Sequence, residues 1–284
     1  MLLDNEEDTY VPAYDLTSTG RIAEIGGGVQ GCSRVMKNAA LGAVPDLRNY
    51  DLSNAQARAL LQELDGSGVD VRWLRRYVTD PAIREGVAMD AGVSIGTLKS
   101  SFYAVLMGGT FAPVEGAAIM GYVAGEVGRA RAPEVLAALA GELRELQRIV
   151  DDWLVVLRSA SIQTERAPRG RIRNRCGMSR PIPARDDAAA WRELRAFVLQ
   201  GWEKNYVFNL MKLGKRHGFV PVSDQHDGLV VLGSIPHAAH VEAVARSGFT
   251  LAKLADKPFA TEKDRERYFA DRPMPEANED ERGS

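Results

Sequence analysis

The sequence predicts an α+β fold in which helices and hairpin strands occupy separate stretches of the chain. Three observations lead there. Long amphipathic patterns fill the middle, at about 114–128, 133–158 and 187–213. Two short β-prone runs, Phe219 to Ser223 and Leu229 to Leu232, flank a corner at His226, Asp227 and Gly228. Strands and helices do not alternate as βαβ units, which disfavours a doubly wound parallel sheet.

Along the chain, residues 1–15 read as a disordered lead, followed by the Gly-rich run "LTSTGRIAEIGGGVQGCSR". "NYDLSNAQARALLQEL" reads as a short strand entering a helix, with Ala55, Ala59, Leu60 and Leu64 spaced to face a core. A helix follows over about 81–91, and another from Ser94 carries Leu98, Phe102, Val105 and Leu106 at helical spacing. After the two long middle helices comes "RSASIQTERAPRGRIRNRCGMSRPIPAR", with eight arginines against the single acid Glu165. Its Pro, Gly and Ser punctuation predicts a long basic loop, suited to bidentate phosphate contacts or else simply solvated. A helix at about 187–213 leads into the hairpin; a helix at 237–247 and a strand "FTLAKLA" follow. The polar, proline-bearing stretch 260–284 reads as a loosely ordered tail.

Composition sets outer limits. The 284 residues suffice for one or two domains, and 45% hydrophobic with 26% charged residues describes a globular protein. A net charge of −2 argues against a histone-like binder of nucleic acid. Two cysteines, Cys32 and Cys176, make neither a disulfide framework nor a zinc cluster, so a reducing, cytoplasmic setting is expected. No apolar run reaches the roughly 20 residues of a membrane span, and the acidic start is the reverse of a secretory signal.

Chemistry concentrates on two acids. Asp227 either favours the hairpin turn, as Asp and Gly do, or is a carboxylate held out for a metal ion. Asp51 ends the predicted strand of "NYDLSNAQ", and two strands of one sheet would bring the pair together. Paired carboxylates suit two Mg²⁺ ions, with Mn²⁺ as a substitute, because hard cations take oxygen ligands. Isolated strand-end aspartates are common, so the residues alone leave both readings open.

Five motifs, in order, resemble those of family A DNA polymerases and of the related single-subunit RNA polymerases of the phage type. "STGRIAEIGGGVQ" is similar to the segment ahead of the first catalytic motif, and "YDLSNAQARALL" to that motif. "KSSFYAVLMGG" resembles the fingers helix, "LQGWEKN" the helix start under primer and template, and "QHDGLVV" the His-Asp hairpin. The resemblance implies a right-hand palm of antiparallel strands, with helical fingers inserted between the two catalytic strands. Palm would span 16–80 and 187–259, with fingers and basic loop at 81–186. It implies template-directed nucleotide addition, DNA template-primer and nucleoside triphosphates as partners, and Mg²⁺ at Asp51 and Asp227. Lys99 would meet the triphosphate and protonate pyrophosphate, and Tyr103 would stack on the incoming base and sugar. Met107 and Gly108 would sit by the templating base. Arg21, Gln30 and Gln200 would touch the primer–template, with His226 by the primer end. Of the basic stretch, Arg169, Arg171, Arg173 and Arg175 are the candidate phosphate contacts.

Departures accompany the resemblance. The Arg usual four residues before the fingers Lys is Ile95, for which Arg34 or the basic stretch would compensate. Gly228 follows the catalytic Asp, as in the RNA-making relatives. Gln56 stands where DNA polymerases carry a Glu against the 2′-hydroxyl, so sugar choice stays open between a DNA polymerase and an RNA polymerase or primase. Only 18 residues precede Thr19, so thumb and exonuclease domains are expected to be missing, with short synthesis or an accessory protein as the consequence. Outside this class stand a helix-turn-helix regulator read from 84–103 and an inactive nucleic-acid-binding palm.

Overall fold

The computed structural model describes residues 14–16, 22–25, 29–32, 36–37, 41–42, 44–159, 162–164, 167–225, 227–257 and 259. Arg21, Arg34 and His226, the lead before residue 14 and the tail from 260 lie outside them, as does the side chain of Arg169. Strands β1 (Tyr14–Leu16) and β2 (Ile22–Glu24) pair as a small antiparallel ribbon. The main sheet is four-stranded and antiparallel, in the order β7-β8-β3-β9. It is built from β3 (Leu47–Leu52), β7 (Val220–Asp224), β8 (Gly228–Leu232) and β9 (Leu254–Lys257). Between β3 and β7 the chain inserts a helical layer and a second, three-stranded sheet.

Local sequence explains where the elements begin and end. In β3, Tyr50 and Leu52 point into the core while Asp51 takes the opposite face, as the twofold strand period requires. Asn54, in the left-handed region at φ 50°, turns the chain into α1 (Ala55–Glu63), whose Ala57, Ala59, Leu60 and Leu61 are buried. Helix α2 (Arg72–Thr79) is absent from the sequence expectation, although Leu74, Tyr77 and Val78 are spaced for burial. Helix α3 (Pro81–Ala91) starts on an Asp80 cap that accepts from the Ala82 amide at 2.9 Å. Helix α4 (Ile95–Leu106) starts on a Ser94 cap, itself held by Glu126 through two hydrogen bonds of 2.6 and 2.7 Å.

Four expectations are corrected. Helix α5 (Ala118–Val127) begins four residues late, because Val114 to Ala117 form a turn. The predicted 133–158 helix divides at Leu143 into α6 (Ala132–Glu142) and α7 (Arg144–Ser159). The arginine-rich stretch is not a loop: it forms β4 (Ile162–Thr164), β5 (Ala167–Arg173) and β6 (Ser179–Pro181). Arg171 closes one pairing by donating to the Ser179 hydroxyl at 3.1 Å and carbonyl at 2.8 Å. The final strand is also shifted, since Phe249 packs in the core and pairing begins only at Leu254.

One hydrophobic cluster joins the layers, from Tyr50, Leu52 and Val231 in the sheet to Phe102 and Trp153 among the helices. Helix α8 (Ala188–Lys212) runs between them, capped by Asp187 and packed on α1, on β8 and on α10 (His237–Ser247). A short helix α9 (Gly214–His217) then delivers the chain to β7. Beneath the β7–β8 turn, Lys204 of α8 and Asp224 of β7 form an ion pair, 3% and 0% exposed. Desolvated partners of this kind depend on each other, because either one alone is a buried uncompensated charge.

Replacing Lys204 by Met is expected to lower stability by about 3–5 kcal/mol in urea unfolding. The double variant Lys204→Met/Asp224→Leu should recover most of that loss. A double variant as unstable as the single would show that the two charges do not compensate each other.

Candidate functional site

Backbone pairing brings the two predicted acids together. Asp51 lies opposite Gly228 in the β3–β8 register, and the Leu52 amide donates to the Asp227 carbonyl at 2.8 Å. The strands approach so closely here that a Cβ on residue 228 would overlap the Tyr50 carbonyl oxygen. Glycine after Asp227 therefore has a backbone cause. An acid at that position would not fit without displacing β3.

Two clefts meet at this point. One, about 420 Å³, is lined by Lys37, Asp51, Gln225, Asp227, Gly228 and Lys257 among others. The other, about 220 Å³, is lined by Ala55, Gln56, Lys99, Tyr103, Glu203 and Asp227. Asp227 belongs to both. Gln56 reaches the second cleft from the first turn of α1, and Lys99 and Tyr103 reach it from α4 at i and i+4. Burial pushes the Tyr103 phenol up to about 12, with the negative charges of Glu203 and Asp227 adding to it and Arg84 opposing. Tyr103 thus offers an uncharged aromatic face at neutral pH.

Cations surround the first cleft. Lys257 follows Ala255, the β9 partner of Asp51, by two residues, and its ammonium pairs with Asp51 Oδ2. Asp51 Oδ1 is buried with no hydrogen-bond partner among the described residues. Lys37 donates to the Gln30 carbonyl at 2.9 Å and to Gln225 Oε1 at 2.5 Å, and burial lowers its pKa. An orphaned carboxylate oxygen beside a stand-in ammonium fits a divalent cation held by Asp51 and Asp227, since both supply hard oxygen donors. No group of three His, Cys, Asp or Glu side chains is poised to hold a metal among the described residues.

The remaining expected residues separate. Met107 and Gly108 end α4 away from both clefts, where Gly108 packs on Arg195. Gln30 is buried, exchanging hydrogen bonds of 2.8 and 2.6 Å with Glu24. Gln200 is half-buried, and its Oε1 has no partner among the described residues. Arg175 stacks on Trp202 at 4.1 Å with Glu63 at 3.7 Å, so it and Arg171 are engaged within the fold, whereas Arg173 is exposed.

Sequence reading missed Lys37, Lys257, Glu203 and Arg195. For the last two a signal existed: Trp191, Leu194, Arg195, Val198, Leu199, Glu203, Tyr206 and Leu210 share the buried stripe of α8. A charge on an apolar stripe has to be answered by a partner, a ligand or a neighbouring ion. For the helix-turn-helix alternative, α3 and α4 do flank a short turn, but Leu98, Phe102, Val105 and Leu106 of α4 are buried. Little of that helix beyond its first turn is left to enter a groove.

No family model matches the chain, and no curated protein matches it in sequence. Its fold is similar to the POL domain of Pol1 from M. smegmatis, solved in complex with DNA primer-template and dNTP, with a TM-score of 0.53 at 15% identity. The match covers 90% of this chain and 48% of that one, so the chain spans about half that structure's length. What the comparison establishes is a polymerase-like α+β fold.

Proposed function

We propose that the chain is a template-directed nucleotidyltransferase that adds deoxynucleotides to a 3′-hydroxyl. The observation that carries this reading is the adjacency of Asp51 and Asp227 across β3 and β8, at the junction of the two clefts. The first cleft takes the primer end and the second the nucleoside triphosphate, so the reacting groups converge on the carboxylate common to both.

Phosphoryl transfer asks the protein for positioning and charge neutralisation rather than covalent chemistry. Lys99 sets its ammonium against the triphosphate and donates a proton to the leaving pyrophosphate. Tyr103 stacks its neutral ring on the base and sugar, and Gln56 meets the sugar at C2′. Asp51 and Asp227 would hold Mg²⁺, which when bound lowers the pKa of the attacking hydroxyl and neutralises the leaving oxygens. The 3′-hydroxyl gives its proton to solvent water and its oxygen forms the new bond to the α-phosphorus as the bond to pyrophosphate breaks.

A second reading, an RNA polymerase or primase, is favoured by Gln56 in the cleft, since an amide can hydrogen-bond a 2′-hydroxyl as well as obstruct it. The discriminating experiment is extension of a primed template with dNTPs or rNTPs, with and without primer. Asp51→Asn and Asp227→Asn should each slow extension by about a thousandfold or more, the scale for losing stabilisation of transition-state charge. Full extension by either variant would exclude the mechanism. Gln56→Ala should raise ribonucleotide use by about tenfold, in line with the worth of one pocket contact; an unchanged ratio would remove Gln56 from the sugar contact. Because Arg173 is exposed while Arg171 and Arg175 are engaged in the fold, Arg173→Ala should weaken duplex binding and reduce its salt slope by about one. An unaltered slope would leave Arg173 as a solvated surface residue.

A further inference from the structure

Helix α8 carries a buried charge that neither the ion pair below the hairpin nor the two clefts explain. Arg195 is 7% exposed, yet its Nε has no hydrogen-bond partner among the described residues. A guanidinium has five N–H donors and keeps its proton in proteins, so burial without a partner carries a desolvation cost. Burial indeed lowers its pKa, Asp151 opposes that shift, and Arg192 and Arg158 add to it. A group in this state is complementary to an anion.

Its surroundings say which kind. The guanidinium lies against the C-terminal end of α4, where a Cβ on residue 108 would overlap it. Gly108, at φ 89°, is thus required twice, by its backbone conformation and by the arginine beneath it. Arg192 and Arg158 are exposed at the rim; Arg192 Cγ stands 3.4 Å from the position of that Cβ, and Arg158 stacks on Trp191 at 4.9 Å. Two solvated guanidiniums therefore flank one desolvated guanidinium at the end of the helix whose Lys99 and Tyr103 line the nucleotide cleft. The guanidinium fork matches phosphate oxygens, and a low-dielectric floor strengthens that contact.

We propose that Arg195, with Arg158 and Arg192, forms an anion site that binds one phosphate of a nucleic-acid strand crossing the C-terminal end of α4. The identity of that strand as the unpaired template rests on the polymerase reading; the anion site does not.

The test compares three ligands on the full chain. Fluorescence anisotropy measures binding of a primer–template with a single-stranded 5′ overhang and of a blunt duplex, and thermal shift measures binding of inorganic phosphate. Arg195→Met should lower affinity for the overhang substrate about tenfold, as expected for a charge-assisted contact. It should also reduce the salt slope by about one and leave the blunt duplex unaffected. Arg195→Lys, which keeps the charge, should retain the slope with part of the affinity, separating electrostatics from packing if the Met variant folds poorly. Unchanged overhang affinity in both variants overturns the proposal. So does loss of phosphate-induced stabilisation in Arg195→Met with strand binding intact, which would assign the pocket to free phosphate. Primer extension is read in parallel: a chain that extends no primer, yet loses overhang affinity on Arg195→Met, retains the anion site and loses the polymerase reading.

Discussion

Strands β3 and β8 pair antiparallel with Asp51 opposite Gly228, and the Leu52 amide closes the ladder on the Asp227 carbonyl. That pairing is the constraint from which the candidate site follows. It takes two acids 176 positions apart and fixes their backbones as cross-strand neighbours, a spacing that no flexible loop would hold. Gly228 makes the approach sterically feasible, and Tyr50 and Leu52 anchor the strand to the core on the opposite face. The period of two along β3 then leaves Asp51 on the cleft side.

Helix α8 is the second organising element, and its buried stripe is unusual in carrying Arg195, Glu203 and Lys204. Each charge has a different fate. Lys204 is neutralised by Asp224 under the β7–β8 hairpin, tying α8 to β7. Glu203 faces the cleft of Gln56, Lys99 and Tyr103 and contributes to the negative potential that keeps the Tyr103 phenol protonated. Arg195 lies beneath the end of α4. One rigid helix thus touches the hairpin, the cleft of Gln56, Lys99 and Tyr103, and the end of α4, so a shift of α8 would be felt in all three places.

Arginine chemistry divides along the same lines. Arg175 on Trp202, Arg180 on Phe197 and Arg158 on Trp191 lay guanidinium planes on aromatic faces along α8, fastening the β4–β5–β6 sheet and the end of α7 to it. Stacked guanidiniums keep N–H groups at their edges for other partners. A stretch that looks like a phosphate-binding loop by composition is therefore largely structural.

Sequence alone was sufficient for α1, α3, α4, α8 and the β7–β8 hairpin, because each announces itself locally, whereas the two acids stood out only through the order of the five motifs. Asp80 and Ser94 cap their helices, Leu98, Phe102 and Leu106 repeat at helical spacing, and β-branched residues flank the Asp227 corner. It also singled out Gln56, Lys99 and Tyr103, which the fold gathers into one cleft with Asp227. Tertiary structure decided what depends on long-range partners. The arginine-rich stretch became a sheet because β5 and β6 pair with Arg171 opposite Pro181 and Arg173 opposite Ser179, a pairing that Pro and Gly content conceals. Lys257 arrived beside Asp51 only through the β3–β9 register. The burial of Arg195 could be inferred from its place on an apolar stripe, but its position under Gly108 required the packing of two helices. Local propensity and periodicity are written in neighbouring residues, whereas the partner of a buried charge or an unpaired strand edge is set by contacts that exist only once the chain has folded.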